Sequence, residues 1–181
     1  LHLQNRQISL DYLTNVPNRQ ELLNMLDLLL RRYPDKDFTL LVVSIRDFRQ
    51  INNVCGQHGG DAFLKQVCAF LCSAGPKENV YRYSGDEFAL LFTDGDGERI
   101  RRCVDEFALL FINDRGERVR QCVLDIEARM KQPWQNQDYQ FKLPVVMGVI
   151  RRSEYVKTLE EAVSYIEYAV SQAKTGRYGQ I

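Results

Sequence analysis

The run Phe38 to Ile45, Phe Thr Leu Leu Val Val Ser Ile, is the stretch that most restricts what this chain can fold into. Residues of both parities are apolar, so a strand built from it cannot leave one face in water. It reads as a central strand covered on both faces. Helices to do the covering are legible around it. Leu22, Leu23, Leu26, Leu29 and Leu30 recur at spacings of three and four, after Asn18 as a cap and ahead of Pro34 as a stop. A second helix is expected from about Ala62 to Ser73, and a last one from Leu159 to Ala173 on Ala162, Ile166, Ala169 and Val170. Strands interleaved with helices give an α/β chain with one central sheet.

Val80 to Tyr83 and Phe88 to Phe92 are two further strand-like runs on either side of Ser84 Gly85 Asp86 Glu87, the pattern of a β-hairpin with a tight turn. Gly85 is expected to take the positive φ of such a turn and to let a ligand approach the backbone. Asp86 and Glu87 then stand at a loop tip beside main-chain amides, a place to hold a metal and a phosphate, or simply a solvated acidic turn. Between the central strand and the hairpin, Arg46 to Asn53 leads into a glycine-rich connection, Gly56 to Asp61, with His58 facing solvent. Tyr139 to Ile150 is another strand-like run.

At 181 residues the chain has the size of one domain able to bury a core. Lys plus Arg equals Asp plus Glu, 24 of each, so no bulk field draws in nucleic acid or an anionic membrane, and a small molecule or another protein is the expected partner. Five cysteines with no C-x-x-C pair imply a reduced, cytosolic compartment. Residues 1–10 read as the tail of a connecting helix, and a chain that starts at Leu1 reads as a segment of a longer protein.

Asp86 to Val104, DEFALLFTDGDGERIRRCV, is followed directly by Asp105 to Val123, DEFALLFINDRGERVRQCV, with 13 of 19 positions identical. Two units are too few for a solenoid. Helical spacing suggests a helix from about Glu98 to Phe111, a turn at Asn113 to Gly116 and a helix from Glu117 to Lys131, with Phe107 to Ile112 as a strand the alternative. The duplicated unit is expected to be peripheral, adding length after the hairpin.

Taken in order, these segments resemble a GGDEF domain, the family of diguanylate cyclases, over residues 11–181 apart from one 19-residue unit of the duplication. Asp11 Tyr12 Leu13 Thr14 with Asn18 Arg19 matches the family's D-x-L-T…N-R. Phe48, Asn52 and Gly60 Asp61 match F-K-x-I-N-D and G-H-x-x-G-D, and Arg82 to Phe88 matches R-Y-G-G-D-E-F. The resemblance implies a mainly antiparallel sheet with helices on both faces, similar to the catalytic core of adenylate cyclases and polymerases, with the hairpin at the active site. It implies that Ser84 and Gly85 at the tip cradle GTP and that Asn52 and Asp61, in the segment opened by Phe48, read the guanine edge. Arg49 would replace a phosphate-holding lysine, Lys174 and Arg177 would form a late phosphate-binding pair, Asp86 would bind Mg²⁺, and Glu87 would be its catalytic neighbour.

The departures from the pattern bear on activity. Ser44 stands where the family has a metal-binding carboxylate, and Arg46, expected to face the same way as Ser44, replaces a second one. Ser84 puts a side chain where a glycine is usual, and Lys174 and Arg177 are three apart where four is usual. The family's inhibitory R-x-x-D falls on Gly75 to Glu78 and is absent. The expectation is a degenerate GGDEF domain that binds GTP with little or no Mg²⁺, or regulates and dimerises, within a larger signalling protein beside other domains such as a phosphodiesterase. The alternative is a working cyclase that joins two GTP molecules across a homodimer.

Overall fold

The computed structural model describes residues 7–76, 78–93, 114–152 and 156–174. Helix α1 (Arg19–Arg32) begins where the sequence marks it, with Asn18 Oδ1 accepting the Glu21 amide at 3.1 Å. Strand β1 (Phe38–Ile45) is buried along its whole length. It is followed by α2 (Phe48–Ala74), the hairpin β2 (Val80–Ser84) and β3 (Glu87–Thr93), and α3 (Asp114–Met130). The short strands β4 (Trp134–Asn136) and β5 (Tyr139–Phe141), strand β6 (Val145–Arg151) and helix α4 (Leu159–Lys174) complete the order.

The main sheet runs β2-β3-β1-β6 with every neighbour antiparallel, and β4 and β5 form a separate pair. β1 is therefore central, as its two-faced apolar run demands. Leu41, Val43 and Ile45 point into one core, built with Phe63, Leu64 and Val67 of α2 and Val119, Cys122 and Ile126 of α3. Leu40 and Val42 point into another, built with Leu22 and Leu26 of α1 and Ala162 and Ile166 of α4. The result is a sheet with helices on both faces.

Four expectations change. The glycine-rich segment is not a loop: α2 runs through it, kinked at Gly56, whose φ of 73° breaks the helix geometry. Gly59 and Gly60 sit inside the helix because a Cβ there would fall 2.7 Å from Cys55 Sγ and 1.8 Å from Asn52 Oδ1. Their lack of a side chain serves packing, not a turn. Tyr139 to Ile150 is two strands rather than one, since Pro144 has no amide to donate to a ladder. The duplicated unit is not peripheral either. Its second copy supplies the first ten residues of α3, including Val119 and Cys122, each 1% exposed. Gly116, expected in a turn, lies inside that helix, and the suggested helix over Glu98 to Phe111 lies outside the described residues. Among the described residues, no helix is long and apolar enough to cross a membrane.

Candidate active site

The ends of β1 and the hairpin meet. Ser44 pairs with Glu87 of β3 on one side and Val146 of β6 on the other. The Ile45 amide donates to Asp86 O at 3.0 Å and the Arg46 amide to Pro144 O at 2.8 Å, which ties the hairpin tip to the end of the central strand. Ser44 is 1% exposed and its Oγ has no partner.

Glu87 is buried beside it with both carboxylate oxygens engaged. Oε2 accepts from Ser84 Oγ at 2.7 Å, and Oε1 accepts from Lys174 Nζ, the last residue of α4, at 2.6 Å. That bond to Glu87 raises the Lys174 pKa above its ordinary value against the opposing effect of burial, and the charges of Glu87 and Asp86 add to it. β1 ends at Ile45, so strand alternation stops before Arg46, which is exposed. The cation seated on the site's carboxylate is thus Lys174, drawn from the far end of the chain, and not the Arg46 expected from spacing.

The tip is held from behind by Arg82. Its Nε donates to Ser84 O, its Nη2 to Gly85 O, and its Nη1 to Asp11 Oδ2 at 3.0 Å, while its guanidinium lies over the Phe88 ring. Asp11 also accepts from the amide and hydroxyl of Thr14. Burial works to raise the Asp11 pKa, but the bonds from Thr14 and the charge of Arg82 outweigh it and hold the carboxyl below its ordinary value. The entry motif, read in the sequence only as a family mark, is therefore the clamp that positions the hairpin. Gly85 does not take the positive φ expected of it. Among the described residues the positive values fall at Asn15, Asp47, Gln137 and Gly56. The turn falls at Gly85 and Asp86 after a register shift between Arg82 and Ser84, and a Cβ added at Gly85 would meet nothing within 4 Å, so the space over the tip is open.

A second group of side chains is carried by α2, on either side of its kink at Gly56. Phe48 is buried and packs under Gly60, so its ring belongs to the core. Asn52 lies against the same glycine, with its Oδ1 buried and without a partner. Asp61 is half-buried one residue after Gly60, and Arg49 is exposed. His58 is exposed on the helix, and Arg177 lies outside the described residues.

The sequence profile described as "Diguanylate cyclase, GGDEF domain" matches residues 8–104, more than half of the chain. This chain belongs to the GGDEF domain family. The diguanylate cyclase DgcZ of Escherichia coli K12 is 29% identical over 103 residues, 56% of this chain and 35% of that protein. The probable diguanylate cyclase DgcI of the same strain is 37% identical over 73 residues, 39% of this chain and 16% of that protein. The chain thus spans about a third or less of these curated relatives. Among solved structures, the GGDEF domain of FimX from Pseudomonas aeruginosa superposes with a TM-score of 0.74 at 15% identity, covering 93% of this chain and 95% of that one. This GGDEF domain shares with it the fold. What the site of this member does follows from its own residues.

Proposed function

We propose that this GGDEF domain binds GTP and serves as a regulatory or dimerising module of a cyclic di-GMP signalling protein, without robust cyclase turnover. The observation that carries the reading is the state of Glu87, saturated by Ser84 and Lys174 beside a serine at the strand end. Cyclases of the family use Mg²⁺, which demands hard oxygen ligands in near-octahedral array. The donor set here does not fit that ion. Ser44 offers a neutral hydroxyl, Glu87 is already bonded twice, and among the described residues no three of His, Cys, Asp or Glu form a group able to hold a metal. Asp86 alone keeps a carboxylate free of such bonds at the tip, which is the basis of the second reading, a working cyclase acting as a homodimer.

The base side favours guanine. A buried acceptor without a partner costs about 1–3 kcal/mol, and a ligand N–H placed against Asn52 Oδ1 would recover it. Asp61, one residue past Gly60, offers a carboxylate to the two adjacent donors of a guanine edge. Adenine lacks those donors, and a site built on them rejects it. The exposed main chain of Ser84 and Gly85, with Lys174 and Arg49, would face the phosphates.

The test combines calorimetry with GTP and ATP and chromatography of the pure protein incubated with GTP and Mg²⁺ or Mn²⁺ at concentrations high enough to dimerise. GTP should bind in preference to ATP and be recovered intact. Steady formation of cyclic di-GMP, abolished by Asp86→Ala, would put the cyclase first, and equal affinity for the two nucleotides would remove the guanine assignment.

A further inference from the structure

Glu87 already holds a cation. Its side chain is 9% exposed, and both of its oxygens accept bonds, one from the ammonium of Lys174 at 2.6 Å and one from Ser84 at 2.7 Å. A divalent ion arriving at this carboxylate would meet that ammonium at contact distance and be repelled by it. The opposite strand provides no substitute, because the residue paired with Glu87 is Ser44. Lys174 is not a loose surface lysine. It is placed by the last turn of α4, a helix packed against β6 and α1, and its ammonium is bonded to Glu87. An ammonium has three donors, of which Glu87 takes one. The Lys174 side chain is 46% exposed, so its remaining donors are open to a ligand at the tip.

We propose that Lys174 is a tethered cation that stands in for the divalent metal of this site: it neutralises Glu87, so that the phosphate contact the family resemblance already implies for this lysine is made to a nucleoside triphosphate bound without Mg²⁺. The ligand half of the proposal rests on the GTP reading above; the cation half does not. A lysine is a point charge well suited to phosphate, and its bond to a phosphate oxygen is charge-assisted. What it cannot do is activate an attacking hydroxyl as a metal does, so the substitution retains binding while removing the chemistry.

Two measurements on the whole chain test the two halves. In the first, protein is titrated into Mn²⁺ without nucleotide and the free-ion signal is followed by electron paramagnetic resonance. The native chain should leave the signal unchanged, and the double variant Ser44→Asp, Lys174→Met, with a carboxylate restored and the ammonium removed, should take up the ion. Uptake by the native chain that Glu87→Gln abolishes, or no uptake by a folded double variant, overturns the tethered cation. In the second, GTP affinity is compared by calorimetry in EDTA and in Mg²⁺. The two values should agree within about threefold, and Lys174→Met should weaken binding in EDTA by about tenfold or more, the loss expected for one charge-assisted bond. Binding that requires Mg²⁺, or that ignores Lys174→Met, overturns the phosphate contact. If GTP binds in neither buffer while the Mn²⁺ results come out as stated, the GTP reading falls and the tethered cation stands. Circular dichroism of each variant reports its folding.

Discussion

At the scale of single residues, the chain's motifs are legible because each is local in sequence, and its electrostatics are not, because the partners are distant. Asn52 and Gly60 are eight apart, too far to touch on a straight helix, and they meet because α2 kinks at Gly56 between them. Gly60→Ala would place a Cβ 1.8 Å from Asn52 Oδ1. Helix propensity alone would favour alanine by about 1 kcal/mol, but the Asn52 amide has to swing away to make room. We expect the variant to fold with a melting temperature close to native and to lose about tenfold or more in GTP affinity by calorimetry; unchanged affinity would show that Asn52 does not touch the base. The Arg82 to Asp11 pair joins residues 71 apart, and the Lys174 to Glu87 pair residues 87 apart. No pattern in a single sequence connects them. Arg82→Met removes the donors to Ser84 O and Gly85 O and leaves the Asp11 carboxylate, 15% exposed, without its counter-charge. The expected loss is about 2–4 kcal/mol by urea denaturation at pH 7. Because the folded Asp11 pKa is depressed, its contribution is complete above the unfolded aspartate value near 4 and drains away as pH falls through the lower folded value. The gap between native and Arg82→Met should accordingly narrow between pH 5 and pH 2, and a constant gap would place the effect elsewhere than in this ion pair.

At the scale of elements, strong periodicity or a two-faced apolar run makes α1, β1, the hairpin and α4 legible in the sequence. The misreadings share one cause. Gly59 and Gly60 look like turn residues, yet the space they leave is filled by Cys55 from the preceding turn and by Asn52 from across the kink at Gly56, a packing reason that composition does not reveal. The duplicated unit looked like an insertion because two copies follow each other, yet one copy provides β3 and the other begins α3. Deleting residues 105–123 is therefore a sharper experiment than removing a loop. It takes away Val119 and Cys122 but brings Ile100 and Cys103 to the same places ahead of Leu124, with one additional glycine at the helix start. The shortened chain should fold and be soluble, with a loss of about 1 kcal/mol for that glycine. A product that precipitates would mean that the long connection between β3 and α3 is itself needed.

At the scale of the molecule, β1 is bonded on both sides and shielded on both faces, whereas among the described residues β6 is paired on β1 alone and its Val149 is 42% exposed. Hydrogen exchange should find the slowest amides in β1, opening only with global unfolding, and faster ones in β6 and in the β4–β5 pair. Uniform protection across the sheet would contradict this. Among the described residues the two cores on either side of the sheet share no helix. Leu26→Ala from one and Val67→Ala from the other should accordingly cost the sum of their separate losses within about 0.5 kcal/mol, whereas a pair taken from one core need not.

That division has an evolutionary consequence. Asn52 and Gly60, which would hold the base, are rooted in the α2 layer, while Glu87 is bonded to Lys174 of the α4 layer across the sheet. Substitutions that refit one layer leave the support of the other untouched. A lineage under no selection for turnover could trade the carboxylates of one layer for serine and let a lysine settle there, while selection for recognising the nucleotide went on acting on the other. Inheritance of binding and inheritance of chemistry would then be separable traits, passed down on opposite sides of a single strand.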